Sequence, residues 1–157
     1  MSKAIKRIGV LTSGGAAPGM NAALRAVVRT SAFHSIECIG IYRGYQGLID
    51  NDVKLMNARS VNNIINKGGT ILKSARCLEF RTKKGRKIAF ETIKKNKIQA
   101  LIVIGGDGSF TGAIIFQSEF NKLSTYKKWI NWVTIHMTSY VPKKAVTIMQ
   151  QINILKI

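Results

Sequence analysis

At 157 residues the chain is long enough for one domain with a core and too short for two ordinary ones. A hydrophobic content of 46% with only two prolines excludes a disordered or low-complexity chain. The net charge of +18 invites a nucleic-acid reading, but the 17 Lys, 22 Ile and 10 Asn carry the bias of AT-rich codons, and the lysines are dispersed in pairs such as Lys83-Lys84 and Lys94-Lys95 rather than gathered in a basic run.

Residues 7–12 (Arg-Ile-Gly-Val-Leu-Thr) are short, apolar and β-branched and stop at Ser13-Gly14-Gly15, which predicts a buried strand running into a Gly-rich turn. From Asn21 the spacing becomes helical, with Leu24, Val27, Val28 and Ser31 on one side and Arg25 and Arg29 on another. Residues 37–42 predict a second buried strand. Strand, helix and strand with short connections form a βαβ unit, so the expected fold is α/β, a Rossmann-like parallel sheet with helices on both faces. Residues 43–79 are punctuated by Gly and Asn, with a short helical patch near 61–65 and a turn at Gly68-Gly69. Residues 85–96 predict a helix with Ile88, Phe90 and Ile93 as apolar contacts and a lysine-rich outer side. Residues 100–104 (Ala-Leu-Ile-Val-Ile) are a continuous apolar strand, followed by Gly105-Gly106-Asp107-Gly108-Ser109. Ser109 is expected to cap a helix running through Phe120.

At about Asn121 the character of the chain changes. All 14 glycines lie at or before Gly112 and all seven acidic residues at or before Glu119, while the last 37 residues hold six lysines and no acid. A run from Trp129 alternates loosely like a strand, but no βαβ rhythm is expected to continue. Lys and Arg interrupt each apolar stretch before it reaches membrane-spanning length, and the N-terminus lacks a signal-like apolar segment. Cys38 and Cys77 suggest neither metal nor a disulfide framework, so a reducing, cytoplasmic setting is expected, with no membrane or nucleic-acid partner.

Two Gly-rich turns follow two predicted strands, the place where open α/β sheets bind ligands. Glycine lets the main chain approach phosphate oxygens, and the helix that follows offers free N–H groups and its positive dipole end. Asp107 lies within the second turn, where a carboxylate beside phosphate holds Mg²⁺. Strand-to-helix turns also carry Gly and Asp for conformational reasons alone. Two such turns together with the acid favour a phosphate cradle.

The segments Ile8-Gly-Val-Leu-Thr-Ser-Gly-Gly-Ala-Ala-Pro-Gly-Met-Asn21, Gly68-Gly-Thr70 followed by Ser74-Ala-Arg76, and Ile104-Gly-Gly-Asp-Gly-Ser109 resemble, in order and spacing, the ATP-dependent 6-phosphofructokinase family. The resemblance covers residues 3–120, about the first third of a family chain. It implies an incomplete three-layer α/β/α sheet, the front part of that family's first domain. The implied division is a nucleotide-binding region over residues 1–120 and a divergent basic tail over 121–157. The implied reaction moves the γ-phosphoryl of ATP to the 1-hydroxyl of fructose 6-phosphate with Mg²⁺, in glycolysis, on a homotetramer. Position by position, Gly15 would face the ATP phosphates, Arg76 would clamp them and stabilise the transferred charge, and Cys77 would line the same site. Gly106, Asp107, Gly108 and Ser109 would complete the cradle, with Asp107 on the metal, and Tyr45 would lie near the adenosine. Gly108 favours ATP over pyrophosphate, because pyrophosphate-dependent relatives tend to carry Asp there. Arg25 and Arg29 match arginines of the family's allosteric nucleotide site, although spacing alone reads them as a solvated helix face.

The sequence also departs from that family. Ala16 stands where ATP-dependent members have Asp, and Lys73 where many have Gly. The Gly-Thr-Ile-Asp-Asn-Asp motif that supplies the catalytic base is missing, and no Asp follows Asp107. The expectation is a truncated or frameshifted relic that is catalytically defective. A non-catalytic Mg-ATP-binding or regulatory module, pairing with intact kinase subunits, is the alternative.

Overall fold

The computed structural model describes residues 5–123 and 131–136. Strands β1 (Arg7–Thr12), β2 (Glu37–Ile41), β3 (Val53–Met56), β4 (Ala100–Gly105) and β5 (Asn131–His136) form one sheet in the order β3-β2-β1-β4-β5. The helices are α1 (Met20–Phe33), α2 (Tyr45–Asp50), α3 (Lys83–Lys95) and α4 (Asp107–Leu123). None of the helices among the described residues is long and apolar enough to cross a membrane.

The two-residue period of the central strands divides the core. Ile8 and Val10 of β1 and Ala100, Ile102 and Ile104 of β4 pack with Met20, Leu24, Val27 and Val28 of α1. Leu11, Leu101 and Val103 meet Leu48 of α2, Ala89, Phe90 and Ile93 of α3, and Ala113 and Phe116 of α4. Strands apolar on both faces need helices on both faces, and each fully buried Leu, Ile or Val contributes about 1.5–3 kcal/mol. The α/β expectation and the buried face of α1 are therefore as read from the sequence. On α3 the buried stripe is Ala89, Phe90 and Ile93, while Ile88 is only half-buried.

Three expectations require correction. The sheet is not wholly parallel, because β3 runs antiparallel to β2, with Ile41 opposite Val53 and Cys38 opposite Met56. The connection over residues 42–52 holds a helix of six residues, too short for the crossover that a parallel return needs. The second Gly-rich turn becomes helical at Asp107, not after Ser109, because the Gly106 carbonyl already accepts the N–H groups of Ser109 and Phe110 at 3.0 and 3.2 Å. The βαβ rhythm does continue past residue 121. Helix α4 runs to Leu123, and β5 pairs parallel with β4, Ile102 opposite Val133. Trp129 and residues 137–157 lie outside the described residues. The helical patch near 61–65 is a 3-10 turn at Ala58–Val61, closed by Asn57 and Ser60 in a capping box.

Strand β1 lies between β2 and β4. The chain leaves β1 to one side to build β2 and β3, then crosses to the other side to build β4 and β5. A topological switch point therefore lies between the carboxyl ends of β1 and β4.

Candidate functional site

Both Gly-rich turns leave the sheet at this switch point, and they touch. The Ser13 N–H donates to the Ile104 carbonyl at 2.9 Å, which fastens the end of β1 to the end of β4. A Cβ added to Gly105 would come within 2.6 Å of the Ser13 carbonyl oxygen and 2.8 Å of Ser109 Oγ. Gly14 holds a left-handed φ of 86°, and a Cβ there would lie 3.4 Å from Ser109 Oγ. The glycines flanking this contact differ from it. Gly15, Gly106 and Gly108 would meet nothing within 4 Å, so they border open space. Asp107 is exposed and is the first residue of α4, so that helix starts beside the opening.

Beneath the turns is a buried support. Tyr45, 6% exposed, donates its hydroxyl to the Ser109 carbonyl at 2.6 Å and stacks on Phe80 with ring centroids 4.0 Å apart. Burial pushes its phenol well above the ordinary value of 10.0, so the hydroxyl stays a donor. Gly112 of α4 faces the same pair, with Tyr45 and Phe80 ring carbons 3.5 and 3.6 Å from an added Cβ. The sequence pattern missed Phe80, which lies far from both turns in the chain, and Gly112, which lies just past the second turn on α4.

The loop carrying Arg76 is tied to β1. Thr12, fully buried at the end of that strand, donates to the Lys73 carbonyl at 2.9 Å, and its Oγ1 lies 3.0 Å from Thr70 Oγ1. Asn21 secures the preceding residues through its Nδ2, which donates to the Lys67 carbonyl, and its Oδ1, which accepts the Ile71 N–H, both at 3.0 Å. A cleft of about 380 Å³ opens between Ala16–Gly19 and Ile65–Gly69, on the flank of the first turn. Arg76 is exposed and makes no hydrogen bond or ion pair among the described residues. Cys77 is half-buried against the α2–α3 side of the core, and desolvation raises its thiol pKa, opposed chiefly by a backbone hydrogen bond at Phe80 and assisted by the smaller effects of the Glu79 and Asp50 charges. A raised pKa keeps this thiol neutral.

Arg25 and Arg29 lie on α1, away from the turns. Arg25 donates to the Val61 carbonyl at 2.8 Å and so holds the 3-10 turn against α1. Arg29 is exposed and unpaired among the described residues. The same packing brings the segment carrying Arg59 beside the helix, a neighbour that helical spacing could not reveal.

Among the described residues no three His, Cys, Asp or Glu side chains gather to hold a metal. A carboxylate beside open, glycine-lined space suits Mg²⁺, which commonly binds one or two carboxylates plus substrate phosphates rather than an all-protein cage. Asp107 fits that role.

The phosphofructokinase family model matches residues 7–143, a span that includes β5. ATP-dependent 6-phosphofructokinase 2 of Bacteroides thetaiotaomicron is 55% identical over 117 residues, 74% of this chain and 36% of the relative. ATP-dependent 6-phosphofructokinase of Halalkalibacterium halodurans is 60% identical over 109 residues, 69% of this chain and 34% of the relative. The chain thus spans about a third of the length of these relatives. Among solved structures, Pichia pastoris phosphofructokinase superposes with a TM-score of 0.80 at 38% identity, over 87% of this chain and 15% of that one. A pyrophosphate-dependent phosphofructokinase from Marinobacter aquaeolei shares the fold, with a TM-score of 0.70 at 18% identity, over 83% and 33% of the two chains.

Proposed function

This chain belongs to the phosphofructokinase family, and from that premise we propose that it is a Mg-ATP-binding module of 6-phosphofructokinase ancestry that does not by itself complete phosphoryl transfer. The observation that carries the reading is the meeting of two Gly-rich turns at the switch point, with Gly15, Gly106 and Gly108 facing open space. In this reading the phosphates lie along those glycines, beside the positive dipole end of α4. Asp107 holds Mg²⁺ jointly with phosphate oxygens, and the bound ion supplies neutralisation of phosphate charge. Arg76, which makes no ion pair among the described residues, takes the remaining phosphate charge. Cys77 lines the site as a neutral thiol, and Tyr45 sets the height of the Ser109 turn beneath the nucleotide. Gly108, with room around it, admits ATP where an acid would repel it.

The family reaction also needs a base for the sugar hydroxyl and a sugar-phosphate site. No Asp follows Asp107 in this sequence, and a missing general base costs about 10²–10⁴-fold. In this reading the chain acts as a nucleotide-binding module, and Arg29, exposed on α1 and without an ion pair among the described residues, meets an effector phosphate or an intact kinase subunit.

Titration calorimetry with Mg-ATP tests the binding half of this reading. Heat that saturates below millimolar ligand, and is lost in Asp107→Ala and Arg76→Ala, is the expected result, and absence of heat at millimolar Mg-ATP overturns it. A coupled assay tests the other half, since fructose 6-phosphate-dependent ADP release by the chain alone would refute the claim of catalytic defect.

A further inference from the structure

Lys73 is a long, charged residue in a backbone conformation that suits glycine. Its φ is 60°, in the left-handed region, which disfavours a side chain with a Cβ. The chain holds it there from several sides. Its carbonyl accepts from Thr12 Oγ1 at 2.9 Å, and its N–H donates to the Thr70 carbonyl at 3.0 Å. The preceding residue, Leu72, is fully buried and accepts the Arg43 N–H at 2.8 Å. The backbone of Lys73 is thus bound to the last residue of β1, which leads directly into Ser13-Gly14-Gly15. Strained positions that their surroundings enforce cluster at functional sites.

Charge adds a second, independent observation. Arg43, the cation just after β2, is already neutralised by Asp50 and Asp52, each at 3.0 Å. Lys73 is exposed, and its side chain makes no hydrogen bond or ion pair among the described residues. On the segment of residues 70–77 it shares that condition with Arg76. Two unpaired cations on one loop tied to a glycine-lined opening are matched by a ligand carrying several negative charges, such as a nucleoside triphosphate.

We propose that Lys73 is a phosphate-binding residue of this site, a second cation beside Arg76 that reaches the polyphosphate from the loop tied to Thr12. The proposal rests on the Mg-ATP reading above and extends it to a residue outside both Gly-rich turns. The strained φ persists because the loop's anchors fix the backbone, and the lysine at that point serves the ligand rather than the fold.

The test is calorimetric titration of the 157-residue chain with Mg-ATP across a salt series, with Lys73→Gly, Lys73→Met and Lys73→Arg alongside. Lys73→Gly and Lys73→Met are expected to weaken binding about tenfold, the worth of one charge-assisted hydrogen bond, and to flatten the dependence of log Kd on log salt. Lys73→Arg is expected to stay within about threefold of the parent on the same charge argument. Lys73→Gly should also melt higher than the parent, since it removes the strain, so its loss of affinity would not be loss of fold. Equal affinity and equal salt slope in the Gly, Met and parent proteins would overturn the role of Lys73 and leave the Mg-ATP reading standing. No binding by the parent would overturn both.

Discussion

At Gly105 a single methyl group separates a closed pair of turns from an open one. The Ser13 carbonyl and the Ser109 side chain occupy the space that a Cβ would take, and the nearer of them is backbone, which cannot turn aside. Gly105→Ala is therefore expected to cost about 1–3 kcal/mol, as overpacking does, and to weaken Mg-ATP binding, because the turns must part. Urea unfolding and calorimetry read the two effects, and a variant that kept both values would show that the turns move freely. Gly105 was legible as part of a motif, but the reason it must be glycine was not, since Ser13 and Ser109 lie far apart in sequence. The same holds for Tyr45. Its residue type could be matched to a nucleotide site, yet its hydroxyl partner is 64 residues away and only folding brings them together.

Helices α3 and α4 are joined by a partly buried ion pair. Arg86 meets Glu119 through Nε and Nη2 hydrogen bonds of 2.6 and 2.7 Å and donates its Nη1 hydrogens to the Phe80 and Arg81 carbonyls. The turn that carries Phe80 under Tyr45 is therefore held by α3. Arg86→Met is expected to destabilise the chain by about 2 kcal/mol, because it removes the charge-assisted hydrogen bonds to the Glu119 carboxylate and those to the Phe80 and Arg81 carbonyls. Thermal unfolding measures this, and Glu119→Gln in the same background should recover part of the loss if the stranded charge is the cause. Strand β2 carries a pH-dependent contribution. Burial pushes the Cys38 thiol from 9.0 up to about 12, against a weaker opposing hydrogen bond from Ser31. The folded state disfavours the thiolate, so this contribution is intact below pH 9.0 and is lost as pH rises towards about 12. Cys38→Ala is expected to flatten the alkaline fall of unfolding free energy over that window. An unchanged slope would assign the fall to other groups, Tyr45 first among them, whose phenol burial shifts in the same direction.

The whole molecule is a sheet with a well-supported middle and a less supported edge. Among the described residues β1 and β4 each pair on two sides and are covered on both faces, whereas β3 and β5 are the outer strands and β3 exposes Lys54 and Leu55. Amide exchange is expected to be slowest in β1 and β4 and fastest among the described strands in β3, and uniformly fast exchange would show that the sheet does not form in this chain alone. The sequence by itself determined the βαβ rhythm, the buried stripe of α1, the two Gly-rich turns and Asp107, because strand and helix periods and turn chemistry are properties of neighbouring residues. It did not reveal the antiparallel β3, whose direction depends on how far a six-residue helix can carry the chain. The strand-like run from Trp129 was legible, but not that β5 within it pairs parallel with β4 and so continues the βαβ rhythm after a stretch without glycine or acid. Only the tertiary structure decided that the two turns meet at the switch point, that Tyr45 and Phe80 lie beneath them, and that Lys73 is held strained beside Thr12. Each of these depends on contacts between residues distant in sequence, and local pattern carries no information about where such partners will be.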